Sequence, residues 1–347
     1  MHCRAVVAVF RTTGRVISPQ AVAIPIAVGS PLLALAPMQD ITDLPFMRML
    51  MRYGGPDLFF TEFFRVTKDS VPAKAILRSV TENDTGRPVI AQLIGNDIDA
   101  LVRTADRLFR HPIAGIDLNL GCPAPVVYRK CAGGGLLRDP ERISLIIAAM
   151  RDAIPARFTV KTRVGFSSDA EFPRLLEIFA RHRPDMVTVH ARTVQGRYGP
   201  VVYEERITQA VNTLPCPVLA NGTASDFARG LATWRNTGSA GIMIGRGAIR
   251  NPWIFDQIRD AVAGRPVRVI TGRDVMAYIH DLYESVRPPG ISDAPHVQKM
   301  KKYLNFLGEG LSETFLHDMR RAQTPEDLFC LCDRELNHDQ PVLCAHL

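Results

Sequence analysis

Cys122 sits in the stretch Asn119-Leu-Gly-Cys-Pro-Ala-Pro125, directly after the apolar run Gly115–Leu120 and shortly before Ala132-Gly-Gly-Gly135. Pro123 disfavours helical geometry at the residue before it, so Cys122 is expected to be held extended at the end of a strand. With the glycine-rich stretch following as a mobile flap, the thiol is positioned to act on a ligand. An unperturbed thiol, with a pKa of roughly 8.5, stays protonated near neutrality and suits the role of an acid. Cys131 puts a second thiol in the same stretch; Cys122 is the favoured one because Pro123 fixes it. Other polar residues stand at the carboxyl ends of otherwise apolar runs: Pro37-Met-Gln39, Gln92, Asn119, Lys161 with Arg163, His190 with Arg192, Asn221-Gly222 and Gly245-Arg246. Buried singly without partners they would be costly, so together they point into one ligand site.

The elements that position them are short apolar runs alternating with amphipathic stretches. Eight strands are predicted: Leu32–Met38, Leu58–Phe63, Val89–Ile94, Gly115–Leu120, Phe158–Val164, Met186–His190, Pro217–Asn221 and Gly241–Gly245. Helical patterns lie between most of them, at Leu44–Tyr53, Asp97–Arg110, Glu141–Ile154, Glu171–Arg181 and Ser225–Thr237. Near-continuous apolar strands separated by helices mean parallel strands covered on both faces, and eight such units mean a (β/α)₈ TIM barrel. A doubly wound open sheet would carry fewer strands and a dinucleotide glycine fingerprint after the first, which is absent. Ligand sites in such barrels form at the carboxyl ends of the strands, where the polar residues stand. The last two loops, Asn221-Gly-Thr-Ala-Ser225 and Gly245-Arg-Gly-Ala248, put glycine at strand-to-helix turns, and Arg246 adds a cation; both suit a phosphate.

After Gly264 the pattern becomes helical, at Asp274–Val286, His296–Leu307, Leu311–Arg320 and Pro325–Leu336. The organisation read from the chain is an N-terminal extension over residues 1–30, a barrel over 31–264 and a small all-helical domain over 265–347. The extension carries three arginines in an apolar background, without the unbroken hydrophobic core of a targeting peptide. Seven cysteines without a paired framework fit a reducing cytoplasm, no metal site is evident, and no run is apolar and long enough to span a membrane. The net charge of +7 and the pI of 9.2 point to a polyanionic partner. Residues 265–347 hold 10 Lys+Arg and 12 Asp+Glu, so the excess, +9, lies in residues 1–264. Within the acidic tail, Lys299 and Lys302 share a helix face beside Tyr303 and are expected to grip successive phosphates of a polyanionic partner.

These motifs together resemble the tRNA-dihydrouridine synthases, flavin enzymes that reduce uridines in tRNA. The likeness rests on the Cys122 stretch, Ala36-Pro-Met38 with Thr42-Asp43, Val160-Lys-Thr-Arg-Val-Gly165, Val189-His-Ala-Arg-Thr193 and Ile244-Gly-Arg-Gly247. Lys299-Met-Lys-Lys-Tyr303 resembles the family's helical domain, and the whole covers roughly Leu32 to Leu336. The resemblance implies FMN as cofactor, NADPH (or NADH) as reductant and tRNA as substrate, with Cys122 as proton donor. It implies that Pro37, Met38 and Gln39 approach the flavin, that Gln92, Lys161 and His190 bond its polar ring edge, that Gly222, Gly245 and Arg246 hold its phosphate, and that Asn221 and Thr223 also bind the cofactor. Asn119, Arg163 and Tyr198 would contact the uracil. Asp40 stands where the family commonly has glycine, and Thr223 where it commonly has an acid. No membrane or obligate protein partner is implied, and a monomer is expected. Two rival readings are a flavin barrel acting on a free pyrimidine or an enone, and a catalytically silent RNA-binding relative.

Overall fold

Among the described residues, nine parallel strands form one sheet: β1 (Leu32–Leu35), β2 (Phe59–Phe60), β3 (Phe64–Arg65), β4 (Val89–Ile94), β5 (Gly115–Leu120), β6 (Phe158–Arg163), β7 (Met186–His190), β8 (Val218–Asn221) and β9 (Gly241–Ile244). The computed structural model describes residues 24, 26–27, 29–308 and 311–342, so the expected N-terminal extension falls almost wholly outside the described residues. The strand order is β1-β9-β8-β7-β6-β5-β4-β2, with β3 also paired to β4. Leu35 N donates to Leu58 O at 3.1 Å and Ala34 bridges Leu58 in parallel, which brings the two ends of the sheet together into a TIM barrel.

The second predicted strand is broken in two. Phe60 pairs with Ile90 and Phe64 with Leu93, so three residues on one side face two on the other, a bulge. Thr61 Oγ1 accepts from Gln92 N at 3.1 Å, replacing a ladder carbonyl, and the bulge leaves Glu62 buried.

One alternate set of strand residues points into the barrel. At the amino ends it is apolar: Leu32, Ala34, Leu58, Phe60, Ile90, Met186 and Leu219 pack together. Toward the carboxyl ends it turns polar. Gln92, Asp117 and Thr159 stand in register; so do Asn119, Lys161 and Thr188, and then Arg163, His190 and Asn221. The opposite set, including Ile116, Leu118, Val160, Val187 and Val189, packs outward against the helices. A two-residue period thus separates a packed core from a polar mouth.

The surrounding helices follow their amphipathic stripes. Ile98–Leu108, capped by Asp97 through Ala100 N at 2.9 Å, buries Leu101, Ala105 and Leu108. The unforeseen helix Glu204–Thr213 buries only Ile207 and Ala210, a stripe too thin to register as a period. Among the described residues, the helices Gly272–Ser285, Asp293–Gly308, Glu313–Arg321 and Pro325–Leu336 follow the barrel. Tyr278 OH donates to Ile249 O at 2.8 Å and Tyr303 OH to Ile41 O at 3.0 Å, fastening these helices to the barrel.

Candidate active site

A cleft of about 860 Å³ opens at the carboxyl ends of the strands, and every predicted site residue except Gln92 lines it. Cys122 is half-buried there, where β5 gives way to a short turn. The corner is held from within: Asn119 Oδ1 accepts from Gly121 N at 3.0 Å and from Cys122 N at 2.9 Å. Burial pushes the Cys122 thiol up from its ordinary range, while the charges of Arg163, Lys161 and Arg65 act the other way.

The glycine-rich stretch is not a flap. Gly133–Arg138 is a 3₁₀ segment whose three glycines are buried, and Gly134 N donates to Cys122 O at 3.2 Å. A Cβ at Gly134 would stand 2.6 Å from Val194 Cγ2 and 2.8 Å from Cys122 O. Close packing behind the thiol, not mobility, calls for glycine here. Cys131 is exposed with φ +50° and lines a separate groove beside Asp97 and Arg138, outside the cleft.

The cleft wall is cationic. Lys161 Nζ donates to Asn221 Oδ1 at 2.9 Å, and burial, then Arg163, brings its pKa down to about 8. Arg163 is 2% exposed; it donates to the carbonyls of Gly121 at 2.9 Å, Thr193 at 2.9 Å and Arg197 at 2.7 Å. Burial lowers it to about 10. Arg192 donates to Gly199 O at 2.7 Å and also to Gly222 O. Tyr198, 56% exposed on the rim, lies under two guanidiniums, Arg246 at 4.6 Å and Arg163 at 5.6 Å from its ring centre. Burial, together with Arg163, Lys161, Arg192 and Arg246, holds the His190 imidazole neutral, well below its usual range.

Several features of the site fit a flavin mononucleotide. His190 Nδ1 and Thr223 Oγ1 are buried without a protein partner, so both await a polar group from a ligand. Gly222, at φ +93°, crosses the His190 ring so closely that a Cβ would fall 2.6 Å from Cε1. Arg192 and Arg246 on the cleft wall suit an anionic phosphate, and the Lys161 ammonium suits the polar edge of a flavin ring. Pro37, Met38 and Gln39 form the wall at the end of β1. Behind them Asp40 is left-handed, φ +62°, which accounts for glycine suiting that position. Glu62 from the bulge accepts from Asp40 N, and burial raises its pKa to about 7.

Three expectations change. Gln92 is fully buried beneath the cleft, donating to Asp117 Oδ2 at 2.7 Å and accepting from Asn119 Nδ2 at 2.8 Å, because its position on β4 lies one layer below the mouth. Asn119 and Arg163 line the cleft, but the Asn119 carboxamide already holds the Cys122 corner and Gln92, and Arg163 Nε and Nη1 already donate to three carbonyls. The Lys299 ammonium is spent on Asp43 Oδ2 at 3.2 Å and Val286 O at 2.9 Å, and Lys302 stands 3.5 Å from Asp40 Oδ2. The sequence reading missed Glu62, Asp117 and Arg65. A charged residue in an apolar strand was the available signal for Asp117; Glu62 and Arg65 depended on a bulge that periodicity does not show.

Residues 34–328 match the family model described as dihydrouridine synthase. The chain is similar to the tRNA-dihydrouridine(16) synthase of Ralstonia nicotianae, 36% identical over 245 residues that cover 67% of this chain and 74% of that protein. It is similar to the tRNA-dihydrouridine(16) synthase of Haemophilus ducreyi, 33% identical over 82% of this chain and 88% of the other. The probable tRNA-dihydrouridine synthase of Rhodobacter capsulatus is 30% identical over 85% of this chain and 91% of its own.

Proposed function

The chain belongs to the dihydrouridine synthase family, a family of flavin-dependent oxidoreductases, and from that premise we propose that it reduces the carbon 5–carbon 6 double bond of a uridine in tRNA. By analogy with the named relatives the proposed target is position 16. The proposed cofactor is FMN and the reductant NADPH, with the protein acting as a cytoplasmic monomer.

The observation that carries this reading is one cleft shared by a half-buried thiol, Cys122, and a cationic wall with two buried polar atoms awaiting partners, His190 Nδ1 and Thr223 Oγ1. When bound, FMN would supply the hydride chemistry needed at carbon 6, with NADPH as the reductant. Lys161, His190 and Pro37–Gln39 would surround its ring, and Gly222, Thr223, Gly245 and Arg246 its phosphate. Cys122 delivers a proton to carbon 5: burial keeps the thiol protonated until it is needed. The nearby charges of Arg163 and Lys161 then favour the thiolate that remains, which regains its proton from solvent. Asn119 and Arg163 serve by holding the Cys122 corner and the 193–197 loop, and the exposed ring of Tyr198 meets the substrate at the rim. The target base must leave its stack at a cost of a few kcal/mol, recovered through RNA contacts. On this reading the chain divides into a barrel over 31–264 and a helical domain over 265–347, whose helices between Gly272 and Leu336 would close the second side of that RNA cleft.

Purified protein should show flavin absorbance, and a deletion strain should lose dihydrouridine at tRNA position 16 and regain it on complementation. Loss at a different position overturns the site assignment. A colourless protein, or an unchanged tRNA, overturns the enzyme reading.

A further inference from the structure

A chain of buried hydrogen bonds runs from the barrel interior to the Cys122 corner. Asp117 is fully buried on β5 and accepts from Thr159 Oγ1 at 2.5 Å and from Gln92 Nε2 at 2.7 Å. Gln92 Oε1 accepts from Asn119 Nδ2 at 2.8 Å, and Asn119 Oδ1 accepts from Gly121 N and Cys122 N. Both ends of this chain fix its polarity. Backbone N–H groups can only donate, so Asn119 must turn its oxygen to the corner and its NH₂ to Gln92. Gln92 must then offer oxygen to Asn119 and NH₂ to Asp117, where an ionised carboxylate can only accept. Two carboxamides that could each flip are thereby locked in one orientation. With Asp117 removed, the Gln92 NH₂ is buried without an acceptor and only Asn119 Nδ2 still orients that carboxamide. Any turn of Gln92 toward another acceptor takes Oε1 from Asn119, and the side chain whose Oδ1 holds Cys122 N loses its anchor.

We infer that Asp117 is a positioning residue for Cys122, acting through Gln92 and Asn119 to hold the thiol at its place in the cleft. Its consequence for turnover rests on the proposed role of Cys122 as proton donor, but its effect on the thiol does not.

The test is therefore made on the flavin-loaded protein without tRNA or reductant, following iodoacetamide alkylation of the Cys122 peptide by mass spectrometry across pH. Asp117→Leu should loosen the corner and speed Cys122 alkylation on the order of tenfold, the rise in locally open population that loss of a buried hydrogen bond allows, with flavin content retained. Asp117→Asn should restore the wild-type profile to within about twofold, since its carbonyl oxygen can still accept from Gln92. Gln92→Leu breaks the same chain one link nearer the thiol and supplies the measurement if Asp117→Leu does not fold. Wild-type alkylation in either leucine variant overturns the inference, as does an Asp117→Asn variant disturbed as much as Asp117→Leu. If these profiles behave as expected while uridine reduction is unaffected, the positioning role stands and the assignment of Cys122 as the acid fails.

Discussion

Lys299 Nζ meets Asp43 Oδ2 at 3.2 Å across 256 residues of sequence, and Asp43 also caps the helix Leu44–Met51 through Phe46 N. Lys302 approaches Asp40 on the same loop, and Tyr303 OH donates to Ile41 O. One face of the helix Asp293–Gly308 thus fastens onto the loop that follows Pro37–Gln39. Both partners of the Lys299 pair are mostly shielded, so Lys299→Ala should cost about 1 kcal/mol, lowering the thermal midpoint by roughly 2 °C. The salt dependence of tRNA binding should not change, because this ammonium releases no counterion to RNA. A flatter salt slope in the variant would return Lys299 to the RNA surface.

Gly134→Ala should damage the thiol corner. The added methyl meets Val194 Cγ2 and the Cys122 carbonyl well inside contact distance, and neither can move without moving the corner. Overpacking of this kind costs about 1–3 kcal/mol. Denaturant unfolding should show that loss, and uridine reduction should fall further than flavin retention. A variant with wild-type stability would mean the 3₁₀ segment can shift freely.

The barrel was legible because its signal is coarse: apolar runs such as Val89–Ile94 and Gly115–Leu120 keep their bounds from sequence to structure. The mouth was legible because polar residues at the ends of such runs have few other uses. Partners were not legible. Asn119 and Arg163 are polar residues at strand ends like Lys161, yet Asn119 Oδ1 and Arg163 Nε and Nη1 are engaged by backbone groups that no spacing rule predicts. Glu62 depended on a one-residue bulge, and the glycines at 133–135 looked like a flap because flexibility and close packing call for the same residue.

Arg246→Ala should weaken FMN retention. A charge-assisted contact to phosphate is worth about 1.5–3 kcal/mol, so the dissociation constant should rise on the order of 10- to 100-fold. The change also removes the guanidinium nearest the Tyr198 ring, so that loop should loosen without global unfolding. Equal FMN affinity by fluorescence titration of the apoprotein would remove Arg246 from the phosphate site.

Lys161 sets a pH dependence. Burial lowers its pKa to about 8, so the ammonium is present below that pH and is lost as pH rises through it. An anionic ligand favours the charged form, and by linkage its affinity falls as that form disappears. Binding of FMN to the apoprotein should therefore weaken above pH 8, and Lys161→Met should bind more weakly at pH 7 with that pH dependence flattened. A lysine variant retaining the full pH dependence would assign it to another group.

Cys122 and Cys131 should separate cleanly by mutation. Cys122 opens into the cleft beside Lys161 and Arg163, whereas Cys131 is exposed and lines a different groove. The acid acts only as hydride reaches the base, so Cys122→Ala should keep flavin binding and flavin reduction by NADPH. Its uridine reduction should fall by about 10²–10⁴-fold, the usual contribution of a positioned acid. Cys131→Ala should keep most activity. Stopped-flow measurement of the two half-reactions distinguishes them, and a dead Cys131→Ala beside an active Cys122→Ala would move the proton donor out of the cleft described above.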